Sequence, residues 1–234
     1  NANDIKFLDE LGVSFLKSSS MHLVELDFLR KIALTGRPLV ISTGMATIEE
    51  VDSAVEVIKQ TQNTNFTLLQ CTTNYPTEIA EVNLLSMMSM ANRYNCSYGY
   101  SDHTQSEIAC LGAIAMGAQV IEKHFTLDKK MSGPDHFASA DPVELTSLIK
   151  NIRAMETVLG STEKKPTKSE LENMVDMRRS ISASKNIKAG EIITEQNIIC
   201  RRPATGISPI YWDHVKGKKA QRDLAEGTFL CWEN

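Results

Sequence analysis

The chain has 234 residues, of which 42% are hydrophobic and 23% charged, a composition typical of a soluble globular protein. Its net charge of −4 and sequence pI near 5.8 argue against nucleic acid as the main partner. No apolar run reaches the length of a membrane-spanning helix. The cysteines are odd in number and scattered without a CxxC motif, so we expect reduced thiols in a cytoplasmic protein. Cys71, Cys96 and Cys110 are expected to pack as small hydrophobic residues.

After an opening helix over residues 4–11, short β-rich runs alternate with longer helical patterns as far as residue 160. This alternation, at a spacing typical of βα units, predicts an α/β fold with a parallel sheet and helices outside it. The predicted strands are Val13–Lys17, Pro38–Ser42, Phe66–Cys71, Cys96–Ser101 and Val120–Lys123.

Three of the predicted helices carry recognisable start signals. Thr47 and Thr104 each stand three residues before a glutamate, which is the pattern of a capping box. Asp141 precedes a proline at the first helical position, and that helix is predicted to end at Gly160.

The chain changes character after this helix. Residues 161–177 are polar and contain a proline, which predicts a linker, and residues 178–234 carry strand and turn patterns of a small, mostly β domain. Residues 1–160 hold five predicted βα units, whereas a closed (β/α)8 barrel needs eight. The simplest interpretation is a barrel without its first three units, and an open five-stranded sheet is the alternative.

Polar side chains follow the carboxyl ends of these strands, where parallel α/β folds bind ligands. Lys17, several hydroxyl-rich turns, His103 and His124 are found there. The two histidines leave consecutive strands, whose ends lie about 5 Å apart if they are parallel neighbours, so one metal ion could bind both. Lysine and hydroxyl groups suit a phosphorylated anion beside that metal. Imidazole ligands alone would equally suit zinc or iron.

Four segments carry a resemblance to a known family. They read Gln70-Cys-Thr-Thr-Asn-Tyr-Pro, Gly99-Tyr-Ser-Asp-His-Thr, Ile121-Glu-Lys-His-Phe-Thr-Leu-Asp and Gly133-Pro-Asp-His. These segments resemble the sialic acid synthase family, which comprises N-acetylneuraminate synthase and its legionaminate and pseudaminate relatives. A fifth segment, Arg202-Pro-Ala-Thr-Gly-Ile-Ser-Pro, resembles the start of a loop in that family's antifreeze-like (SAF) domain. The resemblance covers essentially the whole chain. It implies the last five units of a (β/α)8 TIM barrel followed by a small β-rich SAF domain.

The resemblance also implies a carbon–carbon bond-forming transferase. In that family, phosphoenolpyruvate condenses with the open-chain aldehyde of N-acetylmannosamine or a related N-acyl hexosamine. The enol carbon attacks the aldehyde, water adds at the enol-ether carbon, and phosphate leaves, which yields a nine-carbon 2-keto acid. A divalent metal, Mn2+ or Mg2+, lies near the aldehyde oxygen and acts as Lewis acid and template.

The matching positions imply a role for each residue. His103 and His124 match the family's metal ligands, and Asp135 matches an aspartate that binds sugar hydroxyls. Arg202 matches an arginine that reaches the sugar's N-acyl group from the partner subunit, which implies a domain-swapped homodimer. The residues matched to contacts with phosphoenolpyruvate are Lys17, Ser20, Ser42, Thr73, Tyr75 and Ser101.

One of the departures from the family pattern concerns catalysis. A glutamate involved in catalysis stands two residues after the serine matched by Ser20, and this chain has His22 there. Imidazole also performs acid–base chemistry near neutral pH. His22 therefore joins His103 and His124 as a candidate catalytic residue.

Two alternatives to this enzyme remain open. The first is a homologue that binds metal or phosphoenolpyruvate without turnover, and the histidine at position 22 favours it. The second is a related synthase that uses a sugar phosphate, against which the small domain and Asp135 both argue. Neither nucleic acid nor a membrane is expected as a partner.

Overall fold

The computed structural model describes residues 2–233, which form two compact units, one ending at Gly160 and the other beginning at Ser161. In the described part of the first unit, five strands form one parallel sheet in sequence order. The strands are β1 (Leu16–Ser18), β2 (Leu39–Ser42), β3 (Phe66–Cys71), β4 (Ser97–Asp102) and β5 (Val120–Lys123). The predicted parallel sheet is confirmed, with strand boundaries that differ by a few residues.

A helix follows each of these strands, which is the arrangement of consecutive βα units. The helices of this unit are α1 (Ala2–Glu10), α2 (Leu26–Ala33), α3 (Ile48–Gln60), α4 (Leu85–Tyr94), α5 (Ile108–Ala115) and α6 (Pro142–Leu159). Across residues 2–233, the helices are all too short or too polar to span a membrane.

The hydrophobic core lies between the sheet and its helices. Side chains alternate across a strand, so every second residue faces the helices. Ile41 and Leu68 are buried in one cluster with α2 and α3, and Tyr100 packs with Met87 and Cys110 in a second cluster near α4 and α5. Each large apolar side chain buried in this way contributes about 1.5–3 kcal/mol. The helices therefore hold one face of the sheet, and the strand ends stay free for polar side chains.

Two of the three predicted helix starts are confirmed. Thr47 forms the predicted capping box at the start of α3. Asp141 does the same for α6, where its carboxylate accepts hydrogen bonds from two backbone N–H groups, each at 2.9 Å. The box predicted at Thr104 is wrong. Its hydroxyl donates to the carbonyl oxygen of Ser106 at 2.9 Å, and α5 begins only at Ile108.

The second unit is built around a short antiparallel strand pair with a core of aliphatic side chains that includes Ile181 and Leu224. Its elements are α7 (Lys168–Met177), β6 (Ser180–Ala183), β7 (Ile198–Arg201) and α8 (Trp212–Val215). Most of the segment predicted as a linker, residues 161–177, is helical, because Thr167 forms a capping box that starts α7.

We expect Asp141→Ala to lower the free energy of unfolding by about 1 kcal/mol, because two backbone N–H groups at the start of α6 lose their acceptor. Urea unfolding followed by circular dichroism measures the change. Lys150→Ala, on the exposed side of the same helix, serves as the control and should stay within about 0.5 kcal/mol of the parent chain. Equal stability of the two variants would contradict the role of the cap.

Candidate functional site

The carboxyl ends of the five strands surround a cavity of about 140 Å³. The structure brings the following sequence-predicted site residues together in its lining: Lys17, Ser20, Ser42, Thr73, Tyr75, Ser101, His103 and His124. A larger cavity of about 500 Å³ lies between α3 and α4, and its lining, as far as the chain is described, contains no histidine, carboxylate or lysine. The smaller cavity is therefore the candidate site.

His103 and His124 lie side by side in this cavity. Their ring centroids are 5.2 Å apart, and the ring planes are inclined by 76°. The geometry follows from the sheet, because each histidine is the first residue after one of two paired parallel strands, β4 and β5. The sequence-based expectation that the two histidines meet agrees with this placement.

The surroundings of the two imidazoles fit a metal ion. His103 is 5% exposed, and its Nδ1–H donates to the carbonyl oxygen of Thr72 at 2.7 Å. In the neutral ring, this hydrogen bond fixes the tautomer and leaves Nε2 with a free lone pair, as in metal-binding histidines. Burial opposes protonation of the ring, but the contacts with Cys71 and Thr72 outweigh burial and raise the pKa of His103. Within residues 2–233, no group of three or more histidine, cysteine or carboxylate side chains is arranged to hold a metal. A metal bound here would keep coordination positions open for substrate and water.

Tyr75 covers the histidine pair. Its ring centroid lies 4.1 Å from that of His103 and 5.4 Å from that of His124. Burial, followed by the nearby Cys71, Asp135 and Glu122, raises the pKa of the Tyr75 phenol, so it remains a hydrogen-bond donor near neutral pH. Because 43% of the tyrosine is exposed, it forms the outer wall of the cavity.

Lys17 and Glu122 form the charged side of the cavity. The Lys17 Nζ lies 3.1 Å from a carboxylate oxygen of Glu122, which also accepts a hydrogen bond from Ser101 Oγ at 2.9 Å. Sequence reasoning missed Glu122. The sequence did carry a signal. Residues two apart on a strand share a face, and Glu122 stands two residues before His124.

Two hydroxyl groups in the cavity wall are buried without a hydrogen-bond partner in the described structure, Ser42 Oγ and Thr73 Oγ1. An unpaired buried hydroxyl costs about 1–3 kcal/mol. Gly44 allows Thr73 to lie this deep, since a Cβ at position 44 would clash with Thr73 Oγ1. Hydroxyls held in this way are free to bind a ligand that enters the cavity.

Cys71 is buried, as predicted, but it also lines the cavity. Its Sγ accepts a hydrogen bond from Ser20 Oγ at 3.7 Å and lies 3.9 Å from Nδ1 of His103. Burial opposes ionisation of the thiol, but the contacts with His103 and Ser20 outweigh burial and lower the Cys71 pKa. Burial and the nearby His103 lower the pKa of His124, which favours the neutral, metal-binding form of its ring.

His22 lies outside the cavity lining. It ends a short 3₁₀ turn, with Nδ1 3.0 Å from a carboxylate oxygen of Glu25 and its ring centroid 4.8 Å from that of Phe28. The preceding Met21 contributes to the cavity wall instead. A catalytic role for His22 stays a prediction.

Two further predicted residues also lie outside the lining. Asp135 flanks the site, with a carboxylate oxygen 4.0 Å from Nδ1 of His124. Arg202 is exposed in the second unit. Their predicted contacts with a sugar stay predictions.

Comparison with known proteins identifies close relatives. The profile of the NeuB family matches residues 1–164, and the profile of the SAF domain matches residues 178–234. N,N'-diacetyllegionaminic acid synthase of Campylobacter jejuni is 43% identical over 228 residues, which are 97% of this chain and 68% of that protein. Pseudaminic acid synthase of the same species is 37% identical and covers 97% of this chain and 66% of that protein.

A solved structure gives the same result. N-acetylneuraminic acid (sialic acid) synthetase from Leptospira borgpetersenii, crystallised in complex with citrate, is similar with a TM-score of 0.68 and 32% identity. The similarity covers 74% of this chain and 60% of that chain. Together with the SAF match, it confirms the predicted fold of consecutive (β/α)8-barrel units followed by an SAF domain.

We expect Thr73→Val to leave the stability of the ligand-free chain unchanged or to raise it by about 1 kcal/mol, because valine removes an unpaired buried hydroxyl. The matched control is Thr43→Val, since the Thr43 hydroxyl donates to the carbonyl oxygen of Leu69 at 2.9 Å. That variant should lose about 1–2 kcal/mol. Urea unfolding measures both, and equal destabilisation would argue against a free ligand-binding hydroxyl at Thr73.

Proposed function

Because the chain belongs to the NeuB family of sialic acid synthases, we propose that it serves the condensation of phosphoenolpyruvate with N-acetylmannosamine or a related N-acyl hexosamine. The products are a nine-carbon 2-keto acid and phosphate. One observation supports this most strongly: Lys17 and two unpaired buried hydroxyls line the same cavity as a pair of adjacent imidazoles. Such a cavity offers separate places for an anion and for a metal-bound oxygen ligand.

In this proposal, the anionic substrate binds on the charged side of the cavity. Lys17 supplies a point charge for phosphoenolpyruvate, and the hydroxyls of Ser42 and Thr73 gain the partners that they lack in the free protein. Ser20 and Ser101 add hydroxyls to the same wall. The anion would compete with Glu122 for Lys17.

His103 and His124 would hold the divalent metal, Mn2+ or Mg2+ by resemblance to the family. When bound, the metal would polarise the aldehyde oxygen of the sugar toward attack by the enol carbon. The hydrogen bond from His103 to Thr72 keeps one imidazole in the ligand tautomer, and Asp135 lies beside the other. Tyr75 shields the pair from bulk water.

The remaining part of the proposal concerns the second unit. By resemblance, Arg202 of the SAF domain would bind the N-acyl group in a partner subunit's cavity, so the working form would be a domain-swapped homodimer. Its exposed position leaves Arg202 free for such a contact. Cytoplasmic localisation stays a prediction from the cysteine pattern.

One observation favours a second candidate, a protein that binds metal and phosphoenolpyruvate without turnover. His22 replaces the family's glutamate, and its imidazole contacts Glu25 and Phe28 outside the cavity. The groups proposed to bind metal and anion do not depend on His22. Binding would therefore persist in a chain that forms no product.

The proposal predicts phosphate release from phosphoenolpyruvate that requires both Mn2+ and a sugar acceptor. His103→Ala should reduce this rate more than about 100-fold, because the metal loses one of two protein ligands. His214→Ala, in the second unit, is the control and should keep the parent rate. The assay uses a chain completed to eight barrel units and a panel of N-acyl hexosamines with their phosphorylated analogues.

Each outcome of this assay selects one candidate. Turnover with a free N-acyl hexosamine supports the proposal, and turnover only with a sugar phosphate selects the related synthase. If metal and phosphoenolpyruvate bind but no acceptor releases phosphate, the protein belongs to the non-catalytic class. Equal loss in the His103 and His214 variants would remove the case for a metal at the histidine pair.

A further inference from the structure

A buried ion pair lies directly behind the two cavity histidines. The Lys123 Nζ is 2.6 Å from Asp102 Oδ2, and the side chains are 10% and 0% exposed. Neither residue lines the cavity of the candidate site. Each precedes one histidine in the chain, Asp102 before His103 and Lys123 before His124.

The carboxylate of Asp102 is fully enclosed by donors. Its Oδ1 accepts hydrogen bonds from the Tyr100 hydroxyl at 3.1 Å and from the Thr104 backbone N–H at 2.9 Å. Its Oδ2 accepts from Cys110 Sγ at 3.1 Å as well as from Lys123. Burial and the adjacent Asp102 charge raise the pKa values of both Tyr100 and Cys110, so both stay protonated and continue to donate.

Lys123 connects this network to the loop after β4. Its Nζ donates to the carbonyl oxygen of Thr104 at 2.7 Å in addition to the bond with Asp102. Asp102 also binds the N–H of the same threonine. The backbone of Thr104, the residue after His103, is therefore hydrogen-bonded to both members of the ion pair.

Strand register turns this network into a constraint on the histidines. Asp102 and Lys123 are direct partners in the parallel pairing of β4 and β5. Side chains alternate across a strand, so the residues on either side of the pair face the opposite direction, into the cavity. On that face Ser101 bonds to Glu122, and His103 meets His124. Any twist or slip of one strand against the other would break the ion pair and separate the imidazoles.

We infer that Asp102 and Lys123 are positioning residues that hold His103 and His124 at the separation and orientation required to share one metal ion. This inference rests on the metal site of the proposed function. A buried ion pair is often no more stabilising than apolar residues of the same volume, so stability alone gives little reason for it. Apolar side chains could fill the space, but they would not fix the rotation of both strands at the point where the histidines leave them.

The inference is tested with three variants of the full chain: Asp102→Asn, Lys123→Met and the double variant. Each single change leaves one buried group without its charged partner and should destabilise the fold strongly. The double variant removes both charges and should recover part of that stability. Its Kd for Mn2+, measured by titration calorimetry, should still be raised about 10- to 100-fold, the usual effect of losing support for a metal ligand.

Asn63→Ala is the control for stability. Its buried amide donates to the carbonyl oxygens of Ala33 and Arg37, away from the histidines, so the variant loses stability without touching the site. Its affinity for Mn2+ should equal that of the parent chain. A folded double variant that binds Mn2+ as tightly as the parent would overturn the inference. So would an Asn63 variant whose affinity falls equally.

A second measurement decides the inference without metal. Two-bond ¹H–¹⁵N spectra report which ring nitrogen of His103 carries the proton, and the parent chain should show the Nδ1–H form that bonds to Thr72. The double variant should show a mixture of tautomers. If the parent chain binds no Mn2+ at all, the proposed function fails in its metal site, and an unchanged His103 tautomer in the double variant then refutes the inference independently.

Discussion

Parallel pairing of β4 with β5 sets Asp102 opposite Lys123, and the arrangement of the site depends on that register. A shift of one residue would turn every side chain of a strand to the other face, because the side-chain period of a strand is two. The shift would move His103 toward the helices and bring Asp102 into the cavity. The buried ion pair and the Ser101–Glu122 hydrogen bond act on opposite faces of the same strand pair, and both select one register.

Two of the three unpaired buried hydroxyls in the described residues lie where the ligand is proposed to bind. Elsewhere the first unit buries aliphatic and aromatic side chains, and its deeply buried Asp102 has a full set of donors. Three buried hydroxyls lack a partner in the described part of the chain: Ser42 and Thr73 line the cavity, and Ser18 does not. Unsatisfied polar groups of this kind persist in native proteins mainly where function requires them. The two unpaired hydroxyls of the lining therefore support the cavity as a binding site.

Local sequence patterns predicted most of the fold, and the limits of such patterns explain the predictions that were wrong. Alternation of apolar runs with helical segments identified the strands, since burial on both faces leaves a clear signal in a parallel sheet. Thr104 satisfied the capping-box pattern, but its hydroxyl bonds to Ser106 within the loop, and no local pattern distinguishes the two uses. The ion pair of Asp102 with Lys123 required knowledge of strand register, which only tertiary structure supplies. Glu122 needed no such knowledge. Strand alternation alone places it on the same face as His124, although the sequence interpretation did not include it.

The side chain of His22 lies apart from the cavity that is proposed to bind metal and anion. Most of the groups proposed to bind metal and anion lie at or just after strand ends, but Ser20 belongs to the same short turn after β1 as His22. In that turn, Glu25 and Phe28 give the imidazole an ion-pair partner and a ring contact away from the cavity. If His22 takes the catalytic role that its place in the family pattern implies, a substitution there would change the chemical step, while its side chain contacts none of the groups proposed to bind metal and anion. In the proposed function, binding and turnover depend on different side chains, so the proposal allows turnover to be lost while the histidine pair and the anion-binding wall are retained.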